Sequence, residues 1–198
     1  MLIKHNRKSP QIHETAYVAP TATVCGDVTI GANCRILHGA SIVAEGGHIE
    51  IGTHGIIMEN VVIRSNEQHP AKIGNHCLIG PNAHVVGCTI EDEVFIATGS
   101  AIFHGAHLGR GSEVRVNGIV HLRSKLPAGE FIPIGWIGIG DPIRILPPNE
   151  HDKIWEVQEP LNFPLFVYGY DRPDASMVKI TKRLSEKLTA HFQDEVLP

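Results

Sequence analysis

The chain has 198 residues, with 17 Lys and Arg against 21 Asp and Glu, a formal charge of −4, and 13 histidines. A mildly acidic balance with dispersed cations excludes the concentrated basic face that nucleic acid or an anionic membrane surface requires. The length suits one well-buried domain plus an appendage, and 20 glycines beside only 6% aromatic residues favour strands and turns over helices.

Residues 1–17 read as a lead-in. The stretch MLIKHNRKSPQIHETAYV has no apolar run after its basic residues, so no secretory signal is expected, and no apolar stretch is long enough to span a membrane. The expected location is the cytoplasm. From Val18 an aliphatic residue recurs every six positions: Val24, Ile30, Ile36 and Ile42. A small residue follows each four places on, at Ala22, Val28, Cys34 and Ala40. The insertion Gly46–Glu50 breaks the beat, which resumes at Ile51, Ile57 and Ile63. A polar loop, Ser65–Lys72, breaks it again before Ile73, Ile79 and Val85. One step is then a residue short, and Ile90 restarts a run through Ile96, Ile102, Leu108, Val114, Val120, Leu126 and Ile132.

Neither a helix, with its period of 3.6, nor an alternating strand gives a six-residue beat. It predicts an all-β solenoid over residues 18–145, a left-handed parallel β-helix in which three units make a triangular coil. The small residues point into a narrow prism, and the glycines after the aliphatic positions (Gly31, Gly52, Gly74, Gly80 and Gly109) are expected to serve tight chain turns. The two breaks are where loops leave the prism, and loops carry function more often than the repeat does. Cys25, Cys34, Cys77 and Cys88 match no CxxC spacing and read as buried thiols rather than a disulfide or a zinc site.

From Pro133 the pattern decays, and residues 146–198 are expected to pack on the prism as an extension ending in a helix. Asp174 is the expected N-cap, followed by an apolar stripe at Met177, Val178, Ile180, Leu184, Leu188 and Phe192 that would face the prism or a neighbouring subunit.

The segments PTATVCGDVTIGANCRILHGASI, IEIGTHGIIMENVVIR and AKIGNHCLIGPNAHVVGCTIEDEVFIATGSAI resemble the gamma-class carbonic anhydrase-like family over about Pro10 to Ile145. The resemblance implies a left-handed β-helix with a C-terminal helix, closing as a homotrimer. It also implies a catalytic metal between subunits, held by three histidines. At those three positions this chain carries Arg64 in VIR, and Pro81 and Val86 in IGPNAHVVG. The family's supporting Arg, Asp and Gln positions read Val43, Glu45 and Met58, and the Asp beside the last reads Glu59. None of Arg, Pro or Val supplies a lone pair to zinc or iron, so no metal cofactor is expected at that place.

Three functions follow. In the first, the chain is a trimeric scaffold or small-anion binder, with Arg64, Glu59, Glu45 and His69 lining the cleft, since a guanidinium prefers carboxylate or phosphate to a cation. In the second it is a hexapeptide acyltransferase that uses a coenzyme A thioester with His84 or His104 as base. In the third, a hydratase or thioesterase keeps a zinc on relocated ligands drawn from His84, His69, Glu59 and Glu45. His38, His104 and His107 occupy equivalent turns of two coils and read as outer-turn residues.

Overall fold

The structure is a computed structural model that describes residues 1–198. It is a left-handed parallel β-helix with a short helical C-terminal region. Three sheets form the faces of the prism, one of ten strands and two of seven. The six-residue beat becomes three internal columns of stacked aliphatic side chains. On the first face Val24, Ile42, Ile63, Val85, Ile102 and Val120 stand in register. The second face stacks Ile30, Ile51, Ile73, Ile90, Leu108 and Leu126. The third stacks Ile36, Ile57, Ile79, Ile96, Val114 and Ile132. Each of these side chains is at most 1% exposed, a burial worth about 1.5–3 kcal/mol apiece before entropy is subtracted. The small positions Ala22, Cys34, Ala40, Cys77, Ala83, Ser100 and Ser124 are equally buried.

The coil turns are held by a residue with positive φ at a six-residue spacing. Asn33, His54, Asn60, His76, Asn82, Glu93, Asn117 and Arg123 fill this position, alternating with Gly39, Gly99, Gly105, Gly111 and Gly129. Asn and Gly tolerate the left-handed region best. The glycines that follow the aliphatic residues serve a different purpose from the tight turns expected of them. A Cβ on Gly80 would lie 2.8 Å from the Thr98 backbone nitrogen, and one on Gly74 2.7 Å from that of Asp92. They let consecutive coils stack, and none of the five has positive φ.

Parallel pairing begins inside the lead-in. Leu2–Lys4 pairs with Thr23–Cys25, and Gln11–Ile12 with Val28–Ile30. Both ends of the first face are closed by antiparallel strands, while the two seven-stranded faces end in parallel strands. Arg144–Leu146 closes one end, and Glu195–Val196, from the end of the chain, pairs with Leu2–Lys4 at the other. Between them run α1 (His151–Gln158), several short turns of 3₁₀ and π helix, and α2 (Met177–Leu188). The N-cap of α2 is Ser176, whose hydroxyl accepts from the Lys179 N–H at 3.3 Å; Asp174 belongs to the preceding 3₁₀ turn. Of the α2 stripe only Ile180 is buried, while Met177, Val178, Leu188 and Phe192 stay exposed on a single chain.

Candidate functional site

The two insertions stack on one edge of the first face. They lengthen Ser41–Glu45 and Val62–Asn66 to five residues each, and these two strands pair along their whole length. The Ser65 hydroxyl donates to the Gly47 carbonyl at 2.6 Å, and the Asn66 side-chain oxygen accepts from the His69 N–H at 3.0 Å. The loop residues are therefore built into the sheet.

This edge gathers most of the residues singled out in the sequence. Arg64 stands in register with Val43 on one side and Val86 on the other. Its Nη2 donates to Glu45 Oε1 at 2.7 Å. The Arg64 side chain is 44% exposed, valines flank it in register on both sides, and Glu45 is the one hydrogen-bond partner of its guanidinium. His84 lies on the neighbouring strand, two residues before Val86, and points out of the same face. Its pKa is lowered, first by partial burial and then by the Arg64 charge.

His69 and His104 meet edge to face, with ring centroids 5.3 Å apart, over Gly87. A Cβ on Gly87 would lie 2.5 Å from the His69 Cβ, so only glycine admits this approach. Phe166, from the C-terminal region, packs on His69 at 4.6 Å. His69 Nε2 and His104 Nδ1 are buried without a hydrogen-bond partner. The pKa of His104 falls to about 4, because burial, then the nearby His69, His84 and Arg64, disfavour its charged form. His104 keeps its place in the turn after Ala101–Ile102 but is half-buried there, whereas His38 is exposed in its turn as expected.

Glu59 is not part of this gathering. It sits at the corner after Ile56–Ile57 and makes no ion pair with Arg64; its carbonyl accepts from Asn82 one coil on. Pro81 is at that same corner, where it lines an apolar groove with Met58, Phe95, Val116 and Ile134. His84, His69, Glu59 and Glu45 do not come together as three metal donors within one chain.

A second polar chain runs on from Glu45. The Glu45 carboxylate, 11% exposed, meets His191 Nε2 at 3.1 Å. His191 Nδ1 meets Asp194 Oδ2 at 2.8 Å, and the other Asp194 oxygen meets His5 Nδ1 at 2.6 Å. The two imidazoles stack 4.3 Å apart. The hydrogen bond to Asp194, opposed by burial and aided by Glu45, raises the pKa of His191. Burial alone would push the Asp194 carboxyl up, but the bonds from His191 and His5 outweigh it and hold the carboxyl low. Cys25, buried beside this chain, is pushed up to about 11 by burial and by the charges of Asp194 and Glu45. Sequence reasoning missed this cluster. Its members lie at opposite ends of the chain, and the signals they leave, a lone His5 and the HxxD of His191 and Asp194, have no meaning until the last strand is known to pair with the first.

With the geometry in hand, the relatives can be compared. Residues 70–104 match the family described as hexapeptide repeat of succinyl-transferase. Gamma carbonic anhydrase 1, mitochondrial, of Arabidopsis thaliana is 31% identical over 145 residues, covering 70% of this chain and 50% of that protein. A carbonic anhydrase of Methanosarcina thermophila is 26% identical over 204 residues, 90% of this chain and 74% of the relative. Among solved structures, a hexapeptide transferase family protein from Anaplasma phagocytophilum superposes with a TM-score of 0.62 at 26% identity, covering 85% of this chain and 97% of that one. The chain spans about half the length of the first curated relatives it matches. Repeat, prism and relatives agree, and the chain belongs to the gamma-carbonic anhydrase-like family of hexapeptide-repeat proteins.

Proposed function

We propose that this chain is a member of the family without its metal chemistry, a trimeric protein that binds a small anion at Arg64. The observation that carries the reading is the Arg64 side chain itself. One of its N–H groups is committed to Glu45 at 2.7 Å. The rest have no partner in the chain, and the residue is flanked in register by Val43 and Val86, near a histidine whose charged form is disfavoured. That arrangement fits the two oxygens of a carboxylate or phosphate, which a guanidinium meets with two parallel hydrogen bonds. It does not fit the family's cation. The three positions that the resemblance assigns to ligands offer a guanidinium, a proline ring and an isopropyl group, none of which donates a lone pair to zinc or iron.

Trimerisation is supported by the third face. Tyr17, Phe95 and Phe131 lie on that one sheet and are each at least 40% exposed, as are Val116 and Ile134 at its turns. Arg35 and Glu113 interrupt the outward row, but aromatic side chains this exposed on a single chain support an interface between copies. The unburied stripe of α2 adds a second such surface.

Calorimetry with acetate, bicarbonate and inorganic phosphate tests the anion reading. Arg64→Gln should weaken binding of the preferred anion by about tenfold or more, the value of one lost charge-assisted contact. Equal affinity in the variant, or carbon dioxide hydration above buffer that depends on added zinc and on His84, would sink it. A second reading, transfer from a coenzyme A thioester, is favoured by the exposed His84, whose lowered pKa leaves it neutral and able to accept a proton at pH 7. Thermal stabilisation by acetyl-coenzyme A that is lost in His84→Ala would select it over anion binding.

A further inference from the structure

The polar cluster at the N-terminal end of the prism has the composition of a metal centre, and it lies apart from the family's ligand positions. His5, Cys25, His191 and Asp194 each offer one donor atom, and the four atoms lie within 4.8 Å of one another. They come from three separate pieces of chain: the turn after the first strand, the end of Thr23–Cys25, and the 3₁₀ turn that follows α2. His5 and Cys25 are each only 2% exposed. Cys34 and Cys77 both donate to backbone carbonyls, whereas Cys25, like Cys88, has no hydrogen-bond partner for its sulfur. What sets Cys25 apart from Cys88 is the pair of imidazoles and the carboxylate gathered beside its sulfur.

We propose that His5, Cys25, His191 and Asp194 form a structural zinc site that fastens the end of the chain onto the first coil. The donor chemistry fits. Two imidazoles, one thiolate and one carboxylate make a four-ligand set for zinc, and the two anionic donors balance the charge of the ion. The orientation of both rings fits as well. Each turns its Nδ1 toward Asp194, and each has a partner for its remote nitrogen. The His191 Nε2 faces Glu45 at 3.1 Å, and the His5 Nε2 faces the Asn6 side-chain amide at 2.9 Å, whose oxygen can accept in the alternative amide orientation. Outer partners of this kind fix the ring that a metal needs.

Tetrahedral zinc spaces its ligand atoms roughly 3.3–3.8 Å apart. The 2.6 and 2.8 Å contacts of Asp194 would open and the longest spacing, at most 4.8 Å, would close, each by about an ångström or less. Binding releases the Cys25 thiol proton and any proton on His191 Nδ1, and the hydrogen on His5 Nδ1 passes to its Nε2, where the Asn6 amide oxygen can accept it. With four protein ligands no position is left for substrate, so the site is structural. Its effect is to close nearly the whole chain into a loop: His5 and Asp194 are 189 residues apart, and Ile3 already pairs with Val196.

The test uses the full chain, loaded with zinc and dialysed. Elemental analysis should find about one zinc per chain, removed by a strong chelator with a fall in Tm of several degrees. Cobalt in place of zinc should give the near-ultraviolet charge-transfer band of a thiolate ligand, a signature that does not depend on any variant folding. Cys25→Ser and His191→Ala should each lose the metal and the chelator sensitivity together. The proposal is overturned by less than about a tenth of a zinc per chain, by a cobalt spectrum without the thiolate band, by a Tm that ignores the chelator, or by zinc that survives both substitutions. In that last case the metal sits elsewhere, and the cluster is an ionic clamp only.

Discussion

The half-buried His104 gives the most quantitative expectation. Its folded pKa is about 4, set by burial and by His69, His84 and Arg64 around it. An unfolded histidine titrates near 6.5. Between these values the unfolded chain takes up a proton and the folded one does not, so stability rises with pH across that window and is flat above it. At pH 5 the ratio of the two binding polynomials gives a loss of about 2 kcal/mol relative to pH 7.5, for this one group. For a chain of this size that corresponds to about 4–8 °C in Tm. The measurement is urea unfolding at both pH values, for the wild type and for His104→Gln at equal chain concentration. Other carboxylates and histidines contribute equally to both proteins, so the difference between the two pH effects isolates His104 together with its coupling to His69 and His84. The wild type should lose about 2 kcal/mol more than the variant on acidification. Equal losses would refute the assignment and would mean that His104 opens to solvent at little cost.

Two further expectations concern the coil and its assembly. Gly80→Ala should destabilise by about 1–3 kcal/mol, because its Cβ meets rigid backbone, whereas Gly111→Asn should be nearly neutral, since Gly111 has nothing within 4 Å and Asn fills the same turn position at Asn82 and Asn117; paired denaturant melts decide it, and equal effects would contradict the stacking role. Phe95→Asp places a second acid beside Glu113 on the third face, where Phe95 is 40% exposed; light scattering should show the proposed trimer converted to monomer, and an unchanged mass would move the interface elsewhere.

How much of this was legible beforehand follows from the range of each interaction. The prism was readable because each coil repeats the same burial problem. Ile42, Ile63 and Val85 must each fill the same slot, and the text repeats accordingly. The purpose of Gly80 was not readable, since a glycine that turns the chain and a glycine that admits the next coil are the same letter. The cap of α2 was misassigned for a related reason. Asp174 and Ser176 are both good N-caps, but Ala175 is extended and Ser176 immediately precedes the first helical residue. The helix α1 left little pattern, because only Ile154 of its eight residues is buried.

The site divides along the same line. Arg64, Val86 and Glu45 were identified as departures from a repeating text, and register then brought them together. The cluster of His5, Cys25, His191 and Asp194 breaks no repeat. It exists because a strand from the end of the chain pairs with the first strand, a contact that no local pattern encodes. Yet Glu45 belongs to both groups, accepting from Arg64 at 2.7 Å and meeting His191 at 3.1 Å. The anion proposed for the remaining N–H groups of Arg64 leaves the bond to Glu45 in place, so one carboxylate positions both the guanidinium and the His191 ring.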